Sequence, residues 1–263
     1  MKSDCREILE NLTGKQNILF VKRGNVAIRM ALKFARKLGH DKALLQDQGG
    51  WLTFKQFGDK EKLEIIELKT DYGIFSPEAL DNYSDCVLLI NSLPGYFALQ
   101  EMEEVAKICK EKNILLINDI TGSIGTKQAF FGDIVLGSFG SAKPVNLGNG
   151  GFIATDNKEF LSFFEEKNPD YEIDFNYLLE KLNGLDKHLE IYKQVREKVL
   201  SDLKDYDIIH KDKYGINVIV KFRSEQEKEK LINYCDKENL EYTLCPREIR
   251  VMENAVSIEV KRL

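Results

Sequence analysis

Histidine and tryptophan are scarce in this chain, its cysteines form no motif, and it has no long apolar run. The three histidines, His40, His188 and His210, stand at metal-ligand spacing neither from one another nor from a cysteine, so no metal site is expected. Five cysteines, an odd set without a C-x-x-C pair, argue against a disulfide framework. Of these, Cys86 and Cys109 fall within apolar patterns and read as small core residues. No apolar run approaches the ~18 residues that a membrane span needs; Val87–Ile90 is among the longest. The opening Met1-Lys-Ser-Asp-Cys runs straight into Arg6 and Glu7, without the apolar stretch of a secretory signal. An excess of one charge is missing too. The formal net charge is −5 and both signs are interspersed, which excludes a nucleic-acid footprint. The expectation is a cytoplasmic protein with neither membrane nor nucleic acid as a partner.

What is present is ordinary globular material: 263 residues, 43% hydrophobic and 31% charged, enough for a core of average size and a smaller one beside it. There is no internal repeat, low-complexity tract or Pro/Ser linker. From Gln16 to about residue 156, short apolar strands alternate with helical stretches. Gln16–Val21 is strand-like; Ile28, Ala31, Leu32, Ala35 and Leu38 then recur at helical spacing, with Gly39 placed to cap the end. Ala43–Leu45, Val87–Ile90, Ile114–Ile117, Ile134–Leu136 and Phe152–Ala154 read as further strands, two of them apolar on both faces as buried parallel strands are. Leu99, Met102, Val105 and Cys109 mark an amphipathic helix, with Glu103 and Lys107 one turn apart on its wet side.

This alternation predicts an α/β fold, a three-layer, mainly parallel sheet covered on both faces. From about residue 157 the character changes. A Leu/Lys/Glu-rich helix is expected over Asn176–Leu203, then a strand at Ile216–Val220, a helix at Glu225–Lys237, and strands near Glu248–Val251 and Val256–Val260. The chain therefore divides into a large domain over 14–170 and a small α+β domain over 171–263, with 1–13 packed on the latter.

In a parallel sheet, ligands collect outside the carboxyl ends of the strands. Three polar groups fall at such ends: Arg23-Gly24-Asn25, Asp119, and Ser138 to Lys143. The most specific is Gly137-Ser-Phe-Gly-Ser-Ala-Lys143, followed by Gly148-Asn-Gly-Gly151 and a strand. A serine just past a strand, a lysine five residues on and a glycine-rich turn resemble the lysine region of fold-type-I pyridoxal-phosphate (PLP) enzymes. The pattern is similar to that of the DegT/DnrJ/EryC1/StrS aminotransferase family, S-F-x-x-x-K then G-x-G-G, met here by Ser138, Phe139, Lys143, Gly148, Gly150 and Gly151.

The resemblance extends upstream. Leu116-Ile-Asn-Asp119 is similar to the family's strand ending in an aspartate, whose carboxylate would keep the cofactor's pyridine nitrogen protonated so that the ring draws electrons from the substrate. Arg23-Gly-Asn-Val-Ala-Ile28 resembles the family's G-T-x-A-L segment. There Gly24 would admit close approach, and the N–H groups of Asn25 and Val26, at a helix N-terminus, would receive a phosphate. Trp51, in Gln48-Gly-Gly-Trp, stands where the family places an aromatic that stacks on the pyridine ring. Asp174-Phe-Asn-Tyr177 resembles the family's N-Y-R segment, which implies that Asn176 reaches the cofactor phosphate of a neighbouring subunit in a homodimer.

These matches imply PLP held as a Schiff base on Lys143, which then removes and returns a proton, and aminotransfer between a small amino donor and a keto acceptor (amino acids, or amino and keto sugars). Arg247 and Arg250 are candidates to fork a substrate carboxylate; in a regular strand the two would face opposite sides, so only one could do so.

Four departures from the family stand out. The chain is shorter than usual, which implies trimmed substrate loops. The Gln or His three residues after the aspartate is Gly122, with Thr121 or Ser123 as stand-ins, and the Glu usual in the glycine turn is Asn149; within the N-Y-R segment, Leu178 stands in place of the arginine. Two other PLP readings remain: a lyase or desulfurase, for which Cys245 is the one loop-like nucleophile, and a PLP-binding protein without turnover. A nucleotide-binding Rossmann domain fits poorly, because the loop after the first strand lacks G-x-G-x-x-G.

Overall fold

The computed structural model of the protein describes residues 1–167, 171 and 173–263. In chain order its elements are α1 (Lys2–Thr13), β1 (Asn17–Val21), α2 (Gly24–Lys37), β2 (Lys42–Gln46), α3 (Thr53–Lys60), β3 (Glu64–Leu68), β4 (Val87–Asn91), α4 (Met102–Glu111), β5 (Leu115–Asp119), β6 (Ile134–Ser138), β7 (Gly151–Thr155), α5 (Lys158–Lys167), α6 (Phe175–Asn183), α7 (Leu185–Asp202), β8 (Val218–Lys221), α8 (Glu225–Lys237), β9 (Tyr242–Cys245) and β10 (Ala255–Ile258).

Seven strands form one sheet in the order β1-β7-β6-β5-β4-β2-β3. All its pairings are parallel except those of β7, which runs against both β6 and β1. Alternate residues of a strand point to opposite faces, and both faces are covered. Ala43, Leu45, Val87 and Leu89 meet α2, α3 and α5 through Ile28, Phe54 and Phe160 on one side. Leu44, Leu88 and Ile90 meet α4 through Met102, Val105 and Cys109 on the other. Farther along that second face, Cys5 and Leu9 of α1 and Leu178 and Leu182 of α6 cover Ile18, Val135 and Phe152. The three-layer, mainly parallel architecture read from the strand–helix alternation is the one observed.

Local chemistry explains the element ends. Gly39, at φ 96°, lies in the left-handed region where the helix must stop. Its N–H bonds to the Arg36 carbonyl (3.0 Å) and that of His40 to Ala35 (3.1 Å), the double closure of a Schellman motif. At the start of α6, the side chain of Asp174 caps the N–H groups of Asn176 and Tyr177 (both 3.0 Å).

The second sheet, β8-β10-β9, is antiparallel and packs on α7 and α8 around Tyr192, Val199, Leu231 and Val256. Two expectations need correction here. The helix expected over Asn176–Leu203 is two, separated at Gly184. The strand expected at Glu248–Val251 is a turn, closed by a bond from the Arg250 N–H to the Arg247 carbonyl (2.8 Å), and the strand lies earlier, at β9. Pro246 and the charged run Arg247-Glu248 suit a turn better than a buried strand.

The segment after β4 ties the two sheets together. Leu93 and Tyr96 pack in the core of the small sheet, and Phe97 and Ala98 pack against Ile219, Val251 and Ala255. Its backbone is paired as well, Ile216 N–H to the Tyr96 carbonyl (2.8 Å) and Leu99 N–H to that of Tyr214 (2.9 Å).

Candidate active site

Between the carboxyl ends of the parallel strands and the turn of the small sheet lies a cavity of about 370 Å³. That volume suits a small ligand or cofactor. Gly24, Asn25, Trp51, Asp119, Ser138, Lys143 and Arg250 all line it, although they are spread across most of the chain. Val26, Arg247 and Asn176 do not.

One end of the cavity is a cradle of backbone and small side chains. The N-terminus of α2 approaches β6 so closely that a Cβ on Gly24 would stand 2.7 Å from that of Ser138. Only glycine permits this approach. The first N–H groups of a helix have no acceptor within it; the bridge between Arg23 and Gly150 turns that of Gly24 toward the Gly150 carbonyl, which leaves Asn25 at the cavity with the positive end of the helix dipole. Val26 is placed otherwise, since its N–H already donates to the Arg23 carbonyl (2.9 Å). The glycine-rich turn after Lys143 closes the cradle: Gly150 donates to the Lys22 carbonyl (3.0 Å), at φ 89°.

On the floor, Asp119 ends β5 and is 5% exposed. Its Oδ1 accepts both the N–H (2.9 Å) and the hydroxyl (2.6 Å) of Thr121, and that hydroxyl accepts the Ser138 N–H (3.0 Å). Burial nevertheless raises the Asp119 carboxyl above its ordinary range, opposed by the Thr121 bonds and the nearby Lys143. A carboxylate with one oxygen saturated and, among the described residues, no cation in direct contact is suited to receiving a positively charged ligand atom.

Lys143 enters from the opposite loop, just after Ala142, which is held at φ 56°. Its Nζ donates to the Tyr96 hydroxyl (2.7 Å) and stands 5.5 Å from the centre of the Trp51 ring. Trp51 is anchored in turn by its indole N–H, which donates to Asn25 Oδ1 (2.9 Å). The two stand-ins for the side chain absent at Gly122 are occupied, Thr121 with Asp119 and Ser123 with Ser92 (2.6 Å).

The wall contributed by the small sheet is ionic. Arg250 is held bidentately by Glu259, Nε and one terminal nitrogen each 2.7 Å from an oxygen, while the other terminal nitrogen donates to the Ile249 carbonyl (2.9 Å). Glu259 also receives Ser257 and Asn217 (both 3.0 Å), and Lys261 Nζ lies 3.6 Å away. Arg247 and Asn176 are exposed outside the cavity.

Tyr96 and the Glu259 cluster were not anticipated from the sequence. Pro94-Gly95-Tyr96 directly after a buried parallel strand is a turn at a ligand-binding edge, and that signal was available.

Comparison with known proteins follows the same lines. Residues 78–165 match the DegT/DnrJ/EryC1/StrS aminotransferase family, and residues 182–263 match the MJ1341 family C-terminal domain. The chain is 28% identical over 111 residues to UDP-4-amino-4,6-dideoxy-N-acetyl-beta-L-altrosamine transaminase of Campylobacter jejuni, a match covering 38% of this chain and 29% of that relative. Among solved structures, 3-amino-5-hydroxybenzoic acid (AHBA) synthase superposes with a TM-score of 0.74 at 15% identity, over 99% of this chain and 85% of the other. A DegT DnrJ EryC1 StrS aminotransferase from Brucella abortus gives 0.74 at 15%, over 98% and 84%. The E. coli GDP-4-keto-6-deoxy-D-mannose-3-dehydratase with bound hydrated PLP gives 0.75 at 15%, over 97% and 86%. The chain thus has the fold of the PLP-dependent transferases, and residues 78–165 carry the sequence pattern of the DegT/DnrJ/EryC1/StrS aminotransferase family.

Proposed function

We propose that the protein is a PLP-dependent aminotransferase that carries its cofactor on Lys143 and acts on an amino or keto sugar. The observation that carries this reading is the meeting, in one cavity, of the Lys143 amine, the Asp119 carboxylate and the α2 N-terminus. These residues fit the cofactor's three chemical demands: an amine for its aldehyde, a carboxylate for its pyridine nitrogen and N–H donors for its phosphate. When bound, PLP would supply an electron sink that acidifies the carbon bearing the substrate's amino group.

The remaining work falls to the chain. Asp119 holds a proton on the pyridine nitrogen, and Thr121 and Ser138 keep the carboxylate aimed. Gly24 would admit the close approach of the phosphate, Asn25 would supply a donor to it, and Trp51 would lie against the ring. The Lys143 amine would hold the cofactor's aldehyde carbon and, when free, would act as the base that takes the acidic proton and gives it back.

A sugar is favoured over an amino acid because all three guanidinium nitrogens of Arg250 already donate to protein oxygens, and Arg247 lies outside the cavity. Neither arginine of the small sheet therefore offers a free fork to a substrate carboxylate, and Arg23, which also lines the cavity, stands at its phosphate end beside the start of α2. The name of the Campylobacter relative, a transaminase of a UDP-linked amino sugar, supports the same substrate class. Desulfuration is disfavoured, since Cys245 is buried and burial pushes its thiol up, away from the thiolate such chemistry needs.

Asn176 is exposed at the start of α6, where a second copy could bring it to a neighbouring cavity; a homodimer with composite sites, and the division at residues 170 and 171, belong to the same reading. Borohydride reduction in the presence of PLP should fix the cofactor on Lys143, and Lys143→Ala should abolish both adduct and turnover. A label on any other lysine refutes the assignment. A spectral screen with nucleotide-linked amino sugars and with free amino acids should show the larger response to the sugars.

A further inference from the structure

Tyr96 is a costly residue to place where it stands. It is 7% exposed and lies at φ 69°, immediately after Gly95 at φ 58°, so two consecutive residues occupy the left-handed region. A bulky side chain in that region is strained, and the conformation persists only where its surroundings hold it. Here they do. The Tyr96 N–H is bonded to the Leu93 carbonyl (3.0 Å) and its carbonyl accepts from Ile216 (2.8 Å). The ring is flanked by two cations of the small sheet, Lys261 Nζ at 4.6 Å and the Arg250 guanidinium at 5.4 Å from its centre. The hydroxyl, at the far end, meets Lys143 Nζ at 2.7 Å.

Gly122 completes the arrangement from the other side. A Cβ there would lie 2.8 and 3.0 Å from ring atoms of Tyr96 and 3.0 Å from Leu93. The φ of Gly122 is not in the left-handed region, so its backbone does not demand glycine. The demand is for room, and the Tyr96 ring takes that room.

We propose that Tyr96 is the positioning residue for the reacting amine, its hydroxyl holding Lys143 Nζ in the cavity, and that residue 122 is glycine so that the tyrosine ring can pack there. The inference rests on Lys143 being the reacting amine of the proposed function. It assigns an active-site task to a segment, Pro94–Phe97, that is buried mainly in the small sheet, and it couples two positions far apart in sequence.

The test uses the cofactor-free protein. Pyridoxal, which lacks the phosphate, is added, samples are quenched with borohydride over time, and the label on Lys143 is counted by peptide mass spectrometry. Tyr96→Phe keeps the ring and removes only the hydroxyl. Labelling of Lys143 should slow on the order of fivefold, the share of one hydrogen bond, while the thermal midpoint stays near that of the parent. Gly122→Ala, which displaces the ring, should slow labelling too, and the double variant should label no more slowly than Tyr96→Phe alone, because both changes act through one contact. An unchanged rate in Tyr96→Phe, or losses that multiply in the double variant, would overturn the proposal. If Gly122→Ala does not fold, Tyr96→Phe decides by itself. A parent protein that is not labelled on Lys143 at all refutes the proposed function, an outcome distinct from labelling that ignores Tyr96.

Discussion

Among the described residues two carboxylates are buried, Glu259 and Asp119, and they are treated in opposite ways. Glu259, 1% exposed, is surrounded by donors: Arg250 twice at 2.7 Å, Ser257 and Asn217 at 3.0 Å, with Lys261 and Arg262 just beyond. Despite the cost of burial, the Arg250 bonds and the surrounding positive charge drive its carboxyl down to about 2. Asp119, almost as buried, has two donors, both from Thr121 and both on one oxygen, and burial moves it upward. A saturated carboxylate is a strut, whereas an unfinished one beside a cavity is a socket for positive charge. Removing a partner from a finished buried ion pair is expensive, so the Glu259 cluster is a poor place for a reaction and a good one for holding the turn at Ile249–Arg250 in shape.

The contrast can be broken experimentally. The largest effect should come from Asp119→Asn, which ought to lower turnover by orders of magnitude, because a neutral amide cannot keep a pyridine nitrogen protonated. The same variant should melt no lower than the parent at neutral pH. A carboxyl raised in the folded state costs stability once the pH exceeds its unfolded value, and the amide removes that cost while still accepting from Thr121. Thermal melts alongside steady-state rates check both halves.

Glu259→Gln should behave in reverse. Loss of the central acceptor leaves Arg250 and Lys261 uncompensated, at a cost of about 3–5 kcal/mol in urea unfolding. With a folded carboxyl at about 2 against 4.5, the parent's Glu259 contribution is complete above pH 4.5 and fades as pH falls toward 2, so the difference between the two proteins should narrow in acid.

Lys261→Met sharpens the contrast further. Lys261 is 3% exposed, and burial, only partly offset by Glu259, lowers its amine to about 7. A base depressed on folding binds fewer protons in the folded state, so its contribution to stability rises with pH between about 7 and 10.5. Lys261→Met should therefore exceed the parent's thermal midpoint at pH 6, with the advantage shrinking as the pH climbs through that window. The smallest effect belongs to Asn176→Ala, expected to weaken PLP retention on dialysis without changing the melt. Equal retention would remove Asn176 from the site.

Much of the fold was legible because its signals are local. Val87–Ile90 is apolar on both faces, as a central parallel strand must be, and Gly39 marks the end of α2 by its backbone preference. The cradle and floor were legible for a related reason. Parallel strands deliver the residues after their carboxyl ends to one edge, so Gly24, Asp119 and Ser138 had to be neighbours. Edge strand β3, Glu64-Ile-Ile-Glu-Leu, escaped because its charges interrupt the apolar run. The turn at Glu248–Ile249 escaped because its shape depends on tertiary partners, among them Glu259 on Arg250 and Gly49 N–H on the Glu248 carbonyl (2.7 Å). Tyr96 was hidden for the same cause: nothing near it in sequence announces Lys143 or Gly122, and burial of an aromatic normally means packing alone.

The shared segment Leu93–Leu99 has a consequence for motion. It works as a rivet: its backbone is bonded to Tyr214 and Ile216, its side chains fill the small-sheet core, and only Ser92 separates it from the end of β4. A swing of the small sheet about that point would be handed directly to Tyr96 and so to the Lys143 amine. The cavity wall and its reacting group would then travel as a single mechanical piece, and opening the cleft to admit a substrate would also loosen the grip on the lysine that must meet it.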